Sequence, residues 1–246
     1  MNTNERARAQ SAAAVALSRA AALTEGAHAG GLYGAVCMAP VPHMLREFIE
    51  LRDEVAALLA KRSIMTKRGA ARIEALREQM RDIPQEVRWS DGFRNTVVTE
   101  GKNAALTHFL KGSSYTASQV LGLIEDTGYS AIAAGNTAAN ITAVGGGSPA
   151  NGWNEAPSST LATRGTPSFG TASSGSLATS SAVALNMIAT DTIKGAFLLC
   201  RSTAGTAPTT TVGNTSGALY SAGLFTGGDR AVANGDTLNV SYTASL

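Results

Sequence analysis

Charge in this chain is concentrated in its first ninety residues, and that break constrains the fold more than any other feature. Of 246 residues, 20 are Lys or Arg and 18 are Asp or Glu; residues 1–90 hold 13 of the basic and 10 of the acidic ones. Between Thr127 and Thr190 the only charged residues are Glu155 and Arg164. Solvated helix faces carry charge, whereas a neutral stretch rich in Gly, Ser, Thr and Ala suits short strands and turns. The expected fold class is therefore α+β, with an N-terminal helical or coiled-coil segment followed by an antiparallel β-sandwich.

Three units follow from this division. Residues 1–42 read as an Ala-rich helical arm and a Gly-rich connector, with Gly26, Gly30, Gly31 and Gly34 ending the helix-forming run. The arm suits either close packing against another chain or an exposed position. Residues 43–90 read as a helical or coiled-coil segment. Met44, Phe48, Leu51, Val55 and Leu58 recur at spacings of 4, 3, 4 and 3, and Ile73, Leu76, Met80 and Ile83 form a second seam. The second seam is one residue out of phase with the first, so residues 43–83 form either one helix with a discontinuity or a hairpin turning through Ser63–Gly69. Each seam is too short to fold alone and so needs a partner surface, which is its own hairpin mate, the rear domain or, as the preferred expectation, further copies of the chain joined as an oligomer. Pro84 ends the helical segment.

Residues 91–246 read as an antiparallel β-sandwich with one leading helix, Thr96–Leu110, capped by Thr99. Strands are expected at Gln119–Ile124, Ala182–Ala189, Gly195–Cys200, Leu219–Phe225 and Thr237–Tyr242. Asn234-Gly235 between Ala231–Val232 and Thr237–Tyr242 predicts a hairpin. The weakly hydrophobic stretch Ala143–Ser181 is either irregular strand or a surface loop.

The inventory for chemistry is thin. Cys37 and Cys200 lie far apart without metal-ligand spacing, and the three His residues are His28, His43 and His108. There is no G-x-S-x-G elbow, and Gly145-Gly146-Gly147 fits no phosphate-binding pattern. Glu125-Asp126, Asp229 and Asp236 fall in strand-end or turn contexts. The basic residues of 61–81 alternate with Glu74 and Glu78, as on a solvated helix face. The expectation is a protein without catalytic residues, cofactor or metal, with neither nucleic acid nor membrane as its primary partner.

Nine short motifs in the rear segment occur in a recognisable order. They are Asn95–Gly101 (NTVVTEG), Leu121–Ile124 (LGLI), Ala134–Thr137 (AGNT), Gly152–Glu155 (GWNE), Ala162–Arg164 (ATR), Gly195–Leu198 (GAFL), Arg201–Thr203 (RST), Leu219–Gly223 (LYSAG) and Asn234–Val240 (NGDTLNV) with Tyr242-Thr243. Over residues 93–246 the chain resembles a widespread family of small β-sandwich structural proteins of tailed bacteriophages, often labelled tail-fibre or virion-associated proteins. The resemblance implies structural roles: Gly152 and Gly235 in turns, Trp153 in core packing and Phe197 in a buried strand. It also implies a virion component made in the bacterial host cytoplasm. That component is a capsid decoration or head-fibre protein, or alternatively a tail fibre or adaptor. Its partners are the major capsid protein or tail proteins, and further copies of itself, a trimer being favoured. The first ninety residues extend beyond the short family members and are expected to decide the point of attachment.

Overall fold

The sheet begins well before residue 91. The computed structural model describes residues 30–60, 67–110, 118–142 and 152–245. Its first element is strand β1 (Gly30–Pro40), where a flexible connector was expected. β1 is hydrogen-bonded along both edges, to β2 (Gln85–Val97) and to β11 (Thr237–Ser245). Residues 33–40 are all buried. Pairing on both sides overrides the weak strand propensity of Gly30, Gly31 and Gly34, because the neighbouring strands supply the packing that these residues lack. The part of the predicted arm at residues 1–29 lies outside the described residues.

The helical segment is consequently an insertion between two paired strands rather than a unit preceding the sheet. The chain leaves β1 through a short 3-10 turn (Pro42–Met44), forms α1 (Leu45–Ala60) and α2 (Lys67–Asp82), and re-enters the sheet at β2. A hydrogen bond of 3.0 Å from the Val41 amide to the Pro84 carbonyl closes the neck.

Of the two arrangements open for residues 43–83, the structure adopts the hairpin. Val55, Ile73 and Leu76 are buried against one another, with Leu51, Leu58 and Met80 packed around them. The phase shift between the seams is the consequence of folding back. Among the described residues no extended coiled coil is observed, and Leu51, Val55, Leu58, Ile73, Leu76 and Met80 of the expected seams cover each other within one chain. Phe48 is buried beside the sheet and Met44 sits in the 3-10 turn. Residues 63–66 of the expected turn Ser63–Gly69 lie outside the described residues.

The rest of the molecule is mixed α+β, dominated by one curled and mostly antiparallel sheet. On one flank, β11 pairs with β1, and its far edge takes β7 (Val183–Asn186) and β6 (Ser176–Ala178). On the other flank, β8 (Asp191–Cys200) lies between β3 (Gln119–Glu125) and β9 (Ala218–Leu224), with β10 (Arg230–Val232) alongside its first residues. The flanks are joined where Thr96 and Val97 of β2 pair with Ala222 and Ser221 of β9. Curling brings Tyr33, Phe93, Leu238 and Tyr242 from one flank against Leu121, Leu123, Ile193 and Leu198 from the other, in one core. Helix α3 (Thr99–Leu110) packs on β9 through Ala104. It is shorter than expected, since Thr96 and Val97 belong to β2. The only parallel pair among the described residues is β4 (Ile141–Thr142) with β5 (Trp153–Asn154).

The Asn234-Gly235 turn forms, but it does not make a hairpin. β10 pairs with β8 and β11 pairs with β1, so the turn carries the chain from one flank to the other. Asp236 explains the geometry: its carboxylate accepts a hydrogen bond from the Ala233 amide at 2.8 Å. Gly235 takes φ of 93°, open to glycine at little cost.

Candidate functional site

The two charged residues of the neutral stretch find each other. Arg164 donates from Nε to Glu155 Oε1 and from Nη2 to Glu155 Oε2, both at 2.7 Å. Both side chains are 0% exposed. The Gly213 amide donates to Glu155 Oε2 at 2.7 Å, and Arg164 Nη1 donates to the Thr209 carbonyl at 3.3 Å. The guanidinium also lies over the Phe197 ring, 5.5 Å from its centroid. The pair thus ties residues 152–165 to β8 and to the long loop before β9. The same segment covers the outer edge of β3 through bridges from Leu121 to Gly165 and from Ile124 to Glu155. Part of the predicted irregular stretch is therefore ordered edge cover; residues 143–151 lie outside the described residues.

Of the four motif residues singled out from sequence, Gly152, Trp153 and Phe197 lie on the elements around this pair, and Gly235 lies elsewhere, beside α1. Trp153 is fully buried with its ring centroid 6.0 Å from that of Phe197, in a second core that also holds Ile141 and Leu199. Phe197 is fully buried in β8. Gly152 is needed for a close approach rather than for a positive φ, because a Cβ there would run into the Asn140 carbonyl. Gly235 lies over α1, where a Cβ would come within 2.9 Å of Leu45 Cδ1.

Other charged groups are also engaged in holding elements together. Asp236 is buried and accepts from Arg88, with the Cys37 thiol 3.5 Å away. Burial, with Asp236 adding to it, pushes the Cys37 thiol up to about 12. Lys194 binds Asp229 at 2.7 Å and Asp126 at 3.2 Å, and the Asp229 hydrogen bond raises its pKa most. Glu100, in the first turn of α3, accepts from the Ala138 and Leu219 amides at 2.9 and 2.6 Å. Burial raises the pKa of Glu125, reinforced by Asp191 and Asp126. On the hairpin, Arg72 pairs with Glu54, and Arg81 with Glu74 and Glu78.

His108 and Cys200 share one apolar cleft, together with Tyr220 and Tyr242. Burial, and secondarily Glu100, lifts the Cys200 thiol to about 12, so it stays a protonated thiol at neutral pH. The Cys200 thiol donates to the Arg201 carbonyl, and His108 Nε2 lies 3.0 Å from the Ser202 carbonyl. Among the described residues, no three His, Cys, Asp or Glu side chains are grouped so as to hold a metal ion. None of the described helices is long and apolar enough to cross a membrane. The arrangement positions backbone segments and buries neutral surface.

Sequence reasoning missed the Glu155–Arg164 pair and the aromatic cleft. The first had a usable signal: two opposite charges alone in a long neutral stretch. The second had none, because its walls come from distant strands. The chain matches no protein-family model, no curated protein and no solved structure.

Proposed function

We propose that the chain is a structural protein of a bacteriophage virion. In this reading it is a capsid-associated decoration or head-fibre protein that attaches through its helical part and presents the sheet domain as a β-sandwich. The observation that carries the reading is a surface without charge. Because Glu155 and Arg164 are both buried, the stretch from Thr127 to Thr190 offers no charged side chain to solvent. Such a surface can be covered by another protein without stranding an ion, and charge depletion marks the centres of protein interfaces.

The motifs of the phage-family resemblance add support, because they fall at the joints of this fold. GWNE and ATR supply the buried pair, NTVVTEG carries the crossing from β2 into α3, and NGDTLNV carries the turn between flanks. The partners in this reading are other virion proteins and further copies of the chain. A trimer suits the three-fold positions of a shell. With the hairpin seams internally covered, copies would meet through the neutral face or the outer surface of the hairpin, where Leu59 is exposed.

Antibody against the chain should label purified virions, and quantitative band densities should give on the order of hundreds of copies per particle, as symmetry-repeated shell sites require. A copy number of about a dozen or fewer would reject the decoration role in favour of a tail fibre or tail adaptor, whose sites are few. Absence from the particle would reject both.

A further inference from the structure

An asparagine followed by a glycine carries its own nucleophile. With no Cβ to block the approach, the glycine amide nitrogen can reach the asparagine side-chain carbonyl. Among the described residues this pair occurs once, at Asn234-Gly235, in the turn that takes the chain from β10 to β11.

In the fold both reacting groups are held by other bonds. Gly235 is buried, and its amide donates to the Met187 carbonyl at 3.0 Å. Arg52 Nη1 donates to Asn234 Oδ1 at 2.5 Å and to the same Met187 carbonyl at 3.2 Å. One guanidinium nitrogen thus ties the side-chain carbonyl to the acceptor that occupies the amide. Arg52 comes from α1, where with Leu45, Phe48 and Ile49 it makes an i, i+3, i+4, i+7 face. That face sits on the turn: Leu45, Ile49 and Phe48 reach within 2.9, 3.6 and 3.8 Å of a Cβ placed on Gly235. The Arg52 side chain is only 15% exposed there.

We propose that Asn234 is a deamidation site that the α1–α2 hairpin holds shut. When the hairpin lifts, the Gly235 nitrogen gives its proton to water or hydroxide and attacks Asn234 Cγ. The Cγ–Nδ2 bond breaks, ammonia leaves with a solvent proton, and a cyclic succinimide remains. Water opens the ring at either carbonyl to give aspartate or isoaspartate, so the net change is water consumed and ammonia released. Isoaspartate adds a methylene to the main chain. Here the added length falls between Ala233 and Asp236, which are joined by the Asp236 amide to the Ala233 carbonyl at 3.0 Å and the Ala233 amide to Asp236 Oδ2 at 2.8 Å. A lifted hairpin therefore leaves a covalent mark on the crossing between the two flanks.

Peptide mass spectrometry of the full chain, aged at mildly alkaline pH, reads aspartate and isoaspartate at position 234. The folded chain should react at least about tenfold more slowly than the same chain unfolded in urea, because reaction waits on local opening. Arg52→Ala should accelerate the folded chain at least about tenfold, since it removes both charged hydrogen bonds of the clasp. Cys200, buried between α3 and β9 away from the turn, should keep its alkylation rate in that variant. Ile49→Ala loosens the seat while leaving Arg52 in place, and should accelerate position 234 by a smaller factor. Equal rates in the folded and unfolded chain would overturn the proposal, and so would an Arg52→Ala rate equal to that of the native chain. Acceleration of Cys200 alkylation alongside Asn234 would also overturn it, by assigning the protection to the whole fold. The readout needs no virion, so failure here leaves the assembly role standing.

Discussion

Glu155→Gln is the substitution that should cost this protein most for the fewest atoms changed. In the native chain Glu155 Oε1 accepts from Arg164 Nε, and Oε2 accepts from both Arg164 Nη2 and the Gly213 amide, all at 2.7 Å. A glutamine must place its NH2 on one side or the other. Either way a donor faces a donor, and Arg164 remains buried with its charge uncompensated. Removing one partner of a buried ion pair costs about 3–5 kcal/mol, a large share of a typical domain stability of about 5–15 kcal/mol. For a chain of this length that is a fall in Tm of about 6–20 °C.

Calorimetry or urea titration measures the loss, and limited proteolysis locates it. Cleavage should appear first in the loop between β8 and β9, because Thr209, Thr210 and Gly213 are its attachments to Arg164 and Glu155. The double variant Glu155→Leu, Arg164→Met should recover much of the loss, since similar-sized apolar residues often replace a buried pair at no cost. A single-variant cost under about 1 kcal/mol, the range of exposed pairs, would refute the reasoning.

Three further outcomes are expected. Gly235→Ala places a Cβ at positive φ and against Leu45, so it should cost about 1–2 kcal/mol; an unchanged urea midpoint would contradict this. Glu125→Gln should raise Tm at pH 7. The raised carboxyl pKa makes the ionised form unfavourable in the fold, so the gain should vanish below about pH 4, where Glu125 is protonated in both states. At alkaline pH the sign is the same. The thiols of Cys37 and Cys200 rise from 9.0 to about 12, and burial also raises the hydroxyls of Tyr33, Tyr220 and Tyr242. Their contribution is complete below about pH 9 and is lost as pH climbs through the raised values, so the urea midpoint should fall above about pH 9; a flat midpoint to about pH 11 would count against it.

How legible the fold was depended on the range of the interactions that decide each element. The helix seams around Leu51, Val55, Ile73 and Leu76 were readable because a 3.6-residue period is local, and the hairpin merely chose between two arrangements that the phase shift left open. Leu121–Ile124 and Gly195–Cys200 were readable for a similar reason, as short apolar runs. β1 was not, because Gly30, Gly31 and Gly34 predict a break, and what makes them a strand is pairing with Gly92–Asn95 and Ser241–Ser245. The Asn234-Gly235 turn could be predicted, yet its flanking strands could not be paired from sequence, since their partners lie at 30–38 and 191–193. The cleft was illegible for the same reason. The Glu155–Arg164 pair left a compositional trace, but burial is a property of the whole fold, and no spacing rule joins two residues nine apart across an irregular turn.

Insertion of the hairpin between β1 and β2 makes a last outcome testable. Pro40 is paired with Gln85, and the Val41–Pro84 hydrogen bond closes the neck just beyond that pair, so a short turn can replace residues 42–83 without moving either strand. The hairpin core of Val55, Ile73 and Leu76 is separate from the sheet core. Contacts between them include Arg52 Nη1 to the Met187 carbonyl and to Asn234, Leu45 over Gly235, and Phe48 near Met38. Removing the hairpin uncovers Met38 at a cost of up to about 2 kcal/mol, which the sheet can absorb. The shortened chain should therefore melt as one cooperative unit and, under the proposed virion role, fail to enter virions. Loss of cooperative melting would mean that the hairpin completes the core, and unchanged incorporation would move the attachment surface to the neutral face of the sheet.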